Sequence, residues 1–133
     1  MTDQTVIVFD REGDPETGLQ TWDPIAKESL VSGSPVQRGH EYFSSAAGKL
    51  TAGVWDCTPF TQKRGPYSVD EFMFLLEGSL DIENEDGSLQ TFRAGDAFVI
   101  PKGAVLQWRQ SEYLRKFWVI HDNPDSVPAA AGL

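Results

Sequence analysis

The sequence predicts an all-β protein, built as a sandwich or barrel of short strands. Short apolar runs recur along the chain, and clusters of Gly, Pro, Asn and Asp separate them. No stretch shows the spacing of apolar residues that a helix requires. Many short strands joined by tight turns are typical of closed β architectures, in which few strand edges remain exposed.

The central part of the chain is divided into strands by turn residues. Asn84 to Gly87 predicts a hairpin tip, because Gly accepts the positive φ that such turns require. Ala94 to Asp96, Pro101 to Gly103 and Ser111-Glu112 separate the later strands in the same way. The predicted strands are 41–44, 49–57, 70–76, 79–84, 88–93, 97–100, 105–110 and 113–121.

Two flanking regions complete the chain. Residues 1–32 form an N-terminal arm, in which Thr5 to Phe9 predicts a strand and the acidic stretch from Asp10 to Gly18 predicts turns. The arm cannot bury its apolar residues alone, so we expect it to pack on the barrel or on a second subunit. Residues 33–121 then form the barrel, and residues 122–133 a loose C-terminal tail.

Composition narrows the class of protein. A chain of 133 residues has the length of one domain with one core. The formal charge of −9 argues against nucleic acid and against an anionic membrane as partners. No run approaches the ~20 apolar residues of a membrane helix. The single cysteine cannot form an internal disulfide, and the N-terminus lacks the pattern of a signal peptide, so we expect a cytoplasmic protein.

Two segments carry a spaced motif. In the first, six residues separate Glu71 from Gly78; in the second, five residues separate Gly95 from the Pro101-Lys-Gly103 turn. This spacing resembles the two motifs of the cupin superfamily. The sequence that flanks the motifs, including Arg115 to Ile120, is similar to that of one cupin branch, the ureidoglycine aminohydrolase-like or DUF861 group. The resemblance spans roughly residues 33–121 and implies a double-stranded β-helix, or jelly-roll, barrel with an N-terminal arm.

The resemblance also implies where metal ligands would lie. The two histidines of the first cupin motif would fall on Gly65 and Tyr67, or on Arg64 and Pro66 with the longer spacing. The histidine of the second motif would fall on Leu106. None of these residues is a histidine.

Few other ligands are available. Glu71 occupies a motif position, but Gln107 lies one residue out of register, which on a strand means the opposite face. His40 and His121 lie outside both motifs. A transition-metal site normally needs three or more converging ligands. We therefore expect no metal ligands and no cofactor, with a transition metal held by unforeseen ligands as the disfavoured alternative.

Strand alternation predicts the lining of the barrel. If Glu71 points inward, Met73 shares its side, whereas Phe72 and Phe74 face outward. The predicted pocket is largely apolar, with an acid, a phenol and indoles, and it suits a small organic ligand. Its members are Tyr67, Glu71, Met73, Leu106 and Trp108, with Trp55 as a further candidate.

Each candidate residue has two interpretations. Glu71 is either a general acid or base whose pKa is raised by desolvation, or a buried carboxylate bonded to Tyr67 or to a basic side chain such as Lys116. Trp55 and Trp108 either pack the barrel or contact a ligand. Cys57 is predicted to be a small core residue rather than a nucleophile.

Three functions remain open at this point. The favoured one is a metal-free cupin that binds a small molecule, and the second is an enzyme of the aminohydrolase, isomerase or lyase type that uses Glu71 and Tyr67. The third is an interaction module with Phe72, Phe74 and Trp118 facing a partner. A homodimer is expected in each case, because small barrels leave strand edges to cover and related cupins pair.

Overall fold

A computed structural model describes residues 5–122 of the chain. Twelve strands and one short 3-10 helix, Lys27–Ser29, account for the regular structure of these residues. No helix among them is long and apolar enough to cross a bilayer. The strands are β1 Gln20–Thr21, β2 Leu30–Gly33, β3 Gln37–Ser44, β4 Leu50–Cys57, β5 Phe60–Gln62, β6 Gly65–Pro66, β7 Asp70–Glu77, β8 Ser79–Asn84, β9 Leu89–Arg93, β10 Ala97–Ile100, β11 Val105–Gln110 and β12 Leu114–His121.

The strands form two antiparallel sheets that face each other. One sheet has the order β1-β3-β4-β12-β7-β10, and the other has the order β2-β5-β11-β8-β9 with β6 beside β11. Met73, Leu75, Leu80 and Leu114 are fully buried between the sheets. This is the all-β jelly-roll barrel that the sequence predicts, and the fold class is therefore confirmed.

The predicted strands between residues 49 and 121 agree with the structure to within one residue at each end. The first one does not, because β3 begins at Gln37 rather than at residue 41. Its early residues are polar, and Arg38 is held instead by an ion pair with Asp56 on the neighbouring strand. The short strands β1, β2, β5 and β6 were not predicted, because two to four residues are too few to show alternation.

The predicted strand at Thr5 to Phe9 is wrong. These residues pair with no strand of the described part of the chain, and Val6, Ile7 and Val8 are exposed. The aromatic end of the segment contacts the barrel: the ring of Phe9 stacks on Tyr42 at 4.7 Å between centroids and meets Phe117 edge-on at 5.6 Å. Side-chain contact with the outer face of the sheet replaces the backbone pairing that the apolar run suggested.

The described part of the arm lies against the barrel of its own chain. Arg115 donates hydrogen bonds to the carbonyl of Arg11 at 2.7 Å and to the carboxylate of Glu12 at 3.0 Å. The hydroxyl of Tyr42 donates to the carbonyl of Gly13 at 2.9 Å. Further along, β1 pairs with β3 and β2 pairs with β5, so the sheet structure begins before residue 33. The predicted tail, residues 122–133, lies outside the described residues except for Asp122.

Motif glycines and proline form turns that hold neighbouring segments. Gly78 has a φ of +84°, and the carbonyl of Tyr113 lies so close that a Cβ would collide with it. In the Pro101 to Gly103 turn, the amide of Gly103 donates to the carbonyl of Tyr67 at 2.8 Å. The amide of Tyr67 donates to the carbonyl of Ala104 at 2.9 Å. The second motif thus fixes the backbone of Tyr67, a residue of the predicted pocket.

Candidate functional site

The space between the two sheets opens into a cavity of about 830 Å³. Both sheets contribute to its walls, and residues 22–29 of the arm close one side. It is lined by Trp22, Ile25, Glu28, Ser29, Gln37, Glu41, Trp55, Phe60, Gln62, Lys63, Arg64, Gly65, Pro66, Tyr67, Ser68, Val69, Glu71, Leu106, Trp108, Lys116, Trp118 and Ile120.

All four tryptophans of the chain line this cavity. Trp55 and Trp108 meet edge to face at 6.1 Å between centroids, and Phe60 stacks on Trp108 at the same distance. Trp22 approaches Trp118 edge-on at 6.3 Å. Edge-to-face and stacked pairs in this range are favourable. The walls are therefore aromatic surfaces whose rings pack against one another.

Gly39 and Gln37 hold the arm against the barrel. Gly39 lies directly beneath the indole of Trp22, where a Cβ would collide with the ring. The side-chain amide of Gln37 donates to the carbonyl of Asp23 at 2.8 Å, and its oxygen accepts from the indole nitrogen of Trp55 at 2.9 Å. Gln37 thus connects the arm with Trp55 on the neighbouring strand β4.

Three polar residues form the cavity floor: Tyr67, Glu71 and Lys116. The Tyr67 hydroxyl donates to Glu71 Oε1 at 2.7 Å, and Lys116 Nζ donates to Glu71 Oε2 at 2.7 Å. Glu71 and Lys116 are each 5% exposed. Both carboxylate oxygens are therefore engaged, and a buried charge pair lies within aromatic walls.

Strand pairing explains how Lys116 reaches Glu71. On the inner face of β7 and β12, Glu71 lies opposite Ile120, Met73 opposite Trp118 and Leu75 opposite Lys116. The lysine side chain therefore extends along the strands to reach the carboxylate, and its Nζ lies 3.4 Å from the sulfur of Met73 on the way.

Two indoles surround the ammonium of Lys116. Its Nζ lies 4.5 Å from the ring centroid of Trp55 and 5.0 Å from that of Trp108. A cation over an aromatic face gains about 0.5–2 kcal/mol, with the larger values at desolvated sites. The indoles thus offset part of the desolvation of this charge.

The phenol of Tyr67 is held in its neutral form. Burial raises its pKa well above the usual value of 10.0, and the charge of Glu71 and the hydrogen bond to it act in the same direction. Ionisation would put a second negative charge beside the carboxylate. At neutral pH Tyr67 is therefore a hydrogen-bond donor to Glu71.

One indole N–H in the wall lacks an acceptor. The indole nitrogen of Trp108 donates to Gln110 Oε1 at 3.1 Å, and that of Trp55 is bonded to Gln37. The Trp118 nitrogen is buried with no partner among residues 5–122. An unmet buried donor costs about 1–3 kcal/mol.

Five of the predicted site residues lie together. Tyr67, Glu71, Leu106, Trp108 and Trp55 all line the cavity.

Met73 does not line the cavity. It is fully buried, below the ammonium of Lys116 that it contacts. The strand alternation nevertheless holds on β7, because Phe72 and Phe74 face outward with 41% and 36% of their surface exposed.

The prediction that Trp118 faces outward is wrong. Trp118 is 5% exposed and lines the cavity, because its cross-strand partner is the inward Met73. Lys116 was predicted only as one possible partner of Glu71. The signal for both lay in β12 itself, where Lys116, Trp118 and Ile120 alternate and share one face.

Neither Trp22 of the arm nor Gln37 of β3 was predicted to line the cavity. Trp22 and Gln37 lie far from the motifs in sequence, and no local pattern reveals a contact between an arm and a barrel wall.

The other singled-out residues lie away from the cavity floor. His40 contacts Tyr42 edge-on, and His121 is exposed with Nδ1 3.7 Å from Asp70. Cys57 is buried, and burial, followed by the charge of Asp56, raises the pKa of its thiol to about 12. A thiol with that pKa is protonated at neutral pH and is a poor nucleophile.

The cavity floor does not fit a transition metal. The motif positions Gly65, Tyr67 and Leu106 face the cavity beside Glu71, but a glycine, a neutral phenol and a leucine supply no strong ligand. Glu71 already accepts from an ammonium, whose charge opposes a metal cation. Residues 5–122 contain no group of three or more His, Cys, Asp or Glu side chains that could hold an ion.

Comparison with known proteins agrees with this architecture. A family model described as the EutQ-like cupin domain matches residues 44–118. A crystal structure of a DUF861 protein of unknown function from Pseudomonas syringae pv. tomato shares 31% identity with a TM-score of 0.76, covering 84% of this chain. The match covers 46% of that protein, so this chain spans less than half of its length.

More distant structures share the fold. The EutQ protein of Clostridium difficile shows 22% identity and a TM-score of 0.56 over 74% of this chain and 79% of its own. A putative ethanolamine utilization protein Q from Salmonella typhimurium shows 19% identity and a TM-score of 0.57 over 74% and 78%. None of the curated proteins compared with the chain matches it.

The effects of mutating Glu71 and Lys116 on stability should be strongly coupled, because the two side chains form a buried ion pair. Glu71→Gln should destabilise the protein by about 3–5 kcal/mol, because it leaves the ammonium of Lys116 buried without a counter-charge. Lys116→Met should be costly for the same reason. The double variant should be more stable than either single one, because a neutral pair needs no compensation. Urea unfolding of the four proteins measures this coupling.

The matched control for this cycle is Glu85→Gln, in the exposed hairpin tip, which should change stability little. Additive losses in the double variant, or a Glu71→Gln protein as stable as the control, would show that the pair does not stabilise the fold.

The raised pKa of Tyr67 predicts that the free energy of unfolding falls at alkaline pH. Because its folded pKa lies above the unfolded value of 10.0, the unfolded chain releases the proton first, and stability falls as pH rises past 10.0. Tyr67→Phe should make this decline shallower by about 1.4 kcal/mol per pH unit. Unfolding free energies on both sides of pH 10.0 provide the measurement, and equal slopes in the two proteins would contradict the assignment.

Proposed function

The chain belongs to the EutQ-like cupin family, and we propose that it binds a small organic molecule in its barrel without a complete metal site. The observation that carries the proposal is the aromatic cavity with a charged pair at its floor. Its volume of about 830 Å³ lies in the range of small-molecule sites, which is roughly 300–1,000 Å³.

The walls supply the affinity in this proposal. Four indoles and the ring of Phe60 offer flat apolar surface that a planar ligand can contact on several sides. Aromatic side chains that already pack against one another lose little conformational freedom when a ligand enters, so more of the contact energy remains as affinity.

The cavity floor supplies orientation. Lys116 offers N–H donors, and the oxygens of Glu71 retain lone pairs beyond those used by Tyr67 and Lys116. A ligand would be held at the floor if one of its groups accepts a hydrogen bond from Lys116 and a neighbouring group offers a donor or an acidic hydrogen to Glu71. A few converging polar groups in an apolar site are typical of specific recognition.

A second candidate function is catalysis of the isomerase, lyase or aminohydrolase type. It is favoured by the continuous contact from Tyr67 through Glu71 to Lys116, which combines an acid and a base in one apolar site. General acid–base catalysis contributes about 10²–10⁴-fold and needs only positioned groups.

Filling the cavity should abolish binding. Gly65 pairs with Leu106, whose side chain lines the cavity, and a Cβ at Gly65 would meet open space. Gly65→Trp should therefore place an indole in the cavity and weaken binding by about tenfold or more. Titration with neutral aromatic fragments, followed by tryptophan fluorescence, measures this, since all four native indoles line the site.

The control variant is Leu89→Trp, which adds an indole at a position 54% exposed on β9 and should bind like the wild type. Native mass spectrometry of the purified protein adds a search for a retained ligand. Fragments that bind Gly65→Trp and wild type equally would place binding outside the cavity, and no binding at all would refute the proposed function.

We also propose that the protein forms a homodimer through the outer face of β7 and β10. Phe72 lies beside Val99 and Phe74 beside Ala97 on paired strands, with Phe72 and Val99 41% and 57% exposed. β10 is the edge of its sheet, where strand groups remain open to pairing. A two-fold contact that covers this patch would protect both features.

A double variant tests this contact. Phe72→Ser with Phe74→Ser should give a monomer in sedimentation velocity, because it removes the apolar centre of the contact. Leu89→Ser, which removes an exposed apolar side chain from another strand, should stay dimeric. A wild-type monomer, or a double variant that sediments as a dimer, would overturn the proposed contact.

A further inference from the structure

We propose that the cavity floor catalyses proton transfer at the carbon beside the carbonyl of a small, neutral aromatic ketone, with Glu71 as base and Lys116 as donor to the oxygen. This inference rests on the proposed binding function and adds to it a substrate class and a residue in each role. Such a step needs a base and an oxygen-binding donor side by side, and Glu71 Oε2 lies 2.7 Å from Lys116 Nζ.

The spacing of the two groups suits this substrate. In a ketone, the acidic hydrogen and the carbonyl oxygen belong to neighbouring carbons, so they reach two protein groups only if those groups are adjacent. Within residues 5–122, the ammonium of Lys116 donates to Glu71 and contacts the sulfur of Met73, which accounts for two of its three N–H donors. The third can bind the oxygen of a ketone.

Electrostatics favour the step. Before proton transfer the negative charge is on Glu71, and afterwards it is on the substrate oxygen beside Lys116. The ammonium thus has an anionic partner throughout, and the total charge of the site stays the same. In a site of low polarity, a fixed cation stabilises a developing oxyanion strongly, because no solvent has to reorient.

The other residues of the site act by position. Tyr67 donates to Glu71 Oε1 and orients the carboxylate, so that Oε2 stays near the substrate; Tyr67 is a positioning residue. The indoles of Trp55 and Trp108 lie beside the ammonium, with their ring centroids 4.5 and 5.0 Å from its nitrogen. A ketone packed against these rings would displace water from the floor, where water would otherwise stabilise the ketone and the base.

The walls and the charge define the substrate class. Aromatic rings on several sides favour an aromatic ketone over a sugar or a short aliphatic one. The charges of Glu71 and Lys116 at the floor cancel, so the floor has no net charge that would attract a carboxylate. The chain carries a formal charge of −9, which repels anions. A neutral ketone therefore enters more readily than a keto acid.

The step balances without a co-reactant. The C–H bond breaks and its proton goes to Glu71, the electron pair of that bond forms a C=C bond, and the carbonyl π pair moves to the oxygen held by Lys116. Return of a proton from Glu71 to the same carbon regenerates the ketone. In D₂O the returning hydrogen is deuterium, so each cycle leaves an isotopic label on the carbon.

The test uses the full chain with 2-tetralone, a neutral aromatic ketone, as probe. Proton NMR in D₂O follows the loss of the signals beside the carbonyl. The wild type should accelerate exchange over buffer by about 10²-fold or more. Glu71→Gln should return the rate to that of buffer, whereas Glu85→Gln in the distant hairpin tip should exchange like the wild type.

Two further variants address folding. Glu71→Asp keeps the counter-charge of Lys116 but withdraws the base by one carbon, and it should lose about 10²-fold in rate, as expected for a displaced catalytic group. The double variant Glu71→Gln with Lys116→Met removes both charges together and should bind 2-tetralone without promoting exchange. Tryptophan fluorescence measures binding by each variant.

The outcomes separate the two proposals. If 2-tetralone binds and exchanges at the buffer rate, the catalytic inference is overturned and the binding function stands. If other fragments bind but 2-tetralone does not, the substrate class is wrong and the inference again falls. Exchange that survives in Glu71→Gln or in the double variant would remove Glu71 from the base role. A reducible covalent adduct on Lys116 would also overturn its assigned role as a hydrogen-bond donor.

Discussion

The ion pair between Lys116 and Glu71 is the interaction on which the cavity depends. Burying two charges costs several kcal/mol per ion, and attraction recovers this only with good geometry and further hydrogen bonds. Both conditions are met: the contact is 2.7 Å, Tyr67 bonds the second carboxylate oxygen, and two indoles face the ammonium. The same contacts that stabilise the pair therefore fix the wall residues, so the stability and the shape of the site are linked.

The cavity also depends on the arm, which forms one of its walls. Trp22 lies on Gly39 and against Trp118, and Gln37 joins the arm to Trp55. Outside the barrel, the arm is held by the side chain of Arg115, the residue that precedes Lys116 on β12. Neighbouring residues of one strand thus hold the arm on the outer face and the carboxylate on the inner face.

The sequence predicted those parts that local patterns encode. Alternation and turn residues located the strands after residue 49, and the motif spacing placed Tyr67, Glu71 and Leu106 in one cavity. Contacts between distant segments leave no local pattern, so the position of Trp22 could not be predicted. The error at Trp118 has a different cause: an aromatic residue suits either face of a strand, and only its pairing with Met73 decides between them.

A cupin barrel with a lysine at its floor differs chemically from one with a metal. A metal offers exchangeable positions, lowers the pKa of bound water and accepts a lone pair. An ammonium offers a single positive charge and N–H donors in a fixed place, which suits an anion that forms and disappears on a ligand's oxygen. Gly65, Tyr67 and Leu106 face the cavity at the motif positions, and the ion pair of Lys116 and Glu71 lies at the floor beside them. Function in this chain is therefore better read from the contacts of Glu71 than from the fold that contains it.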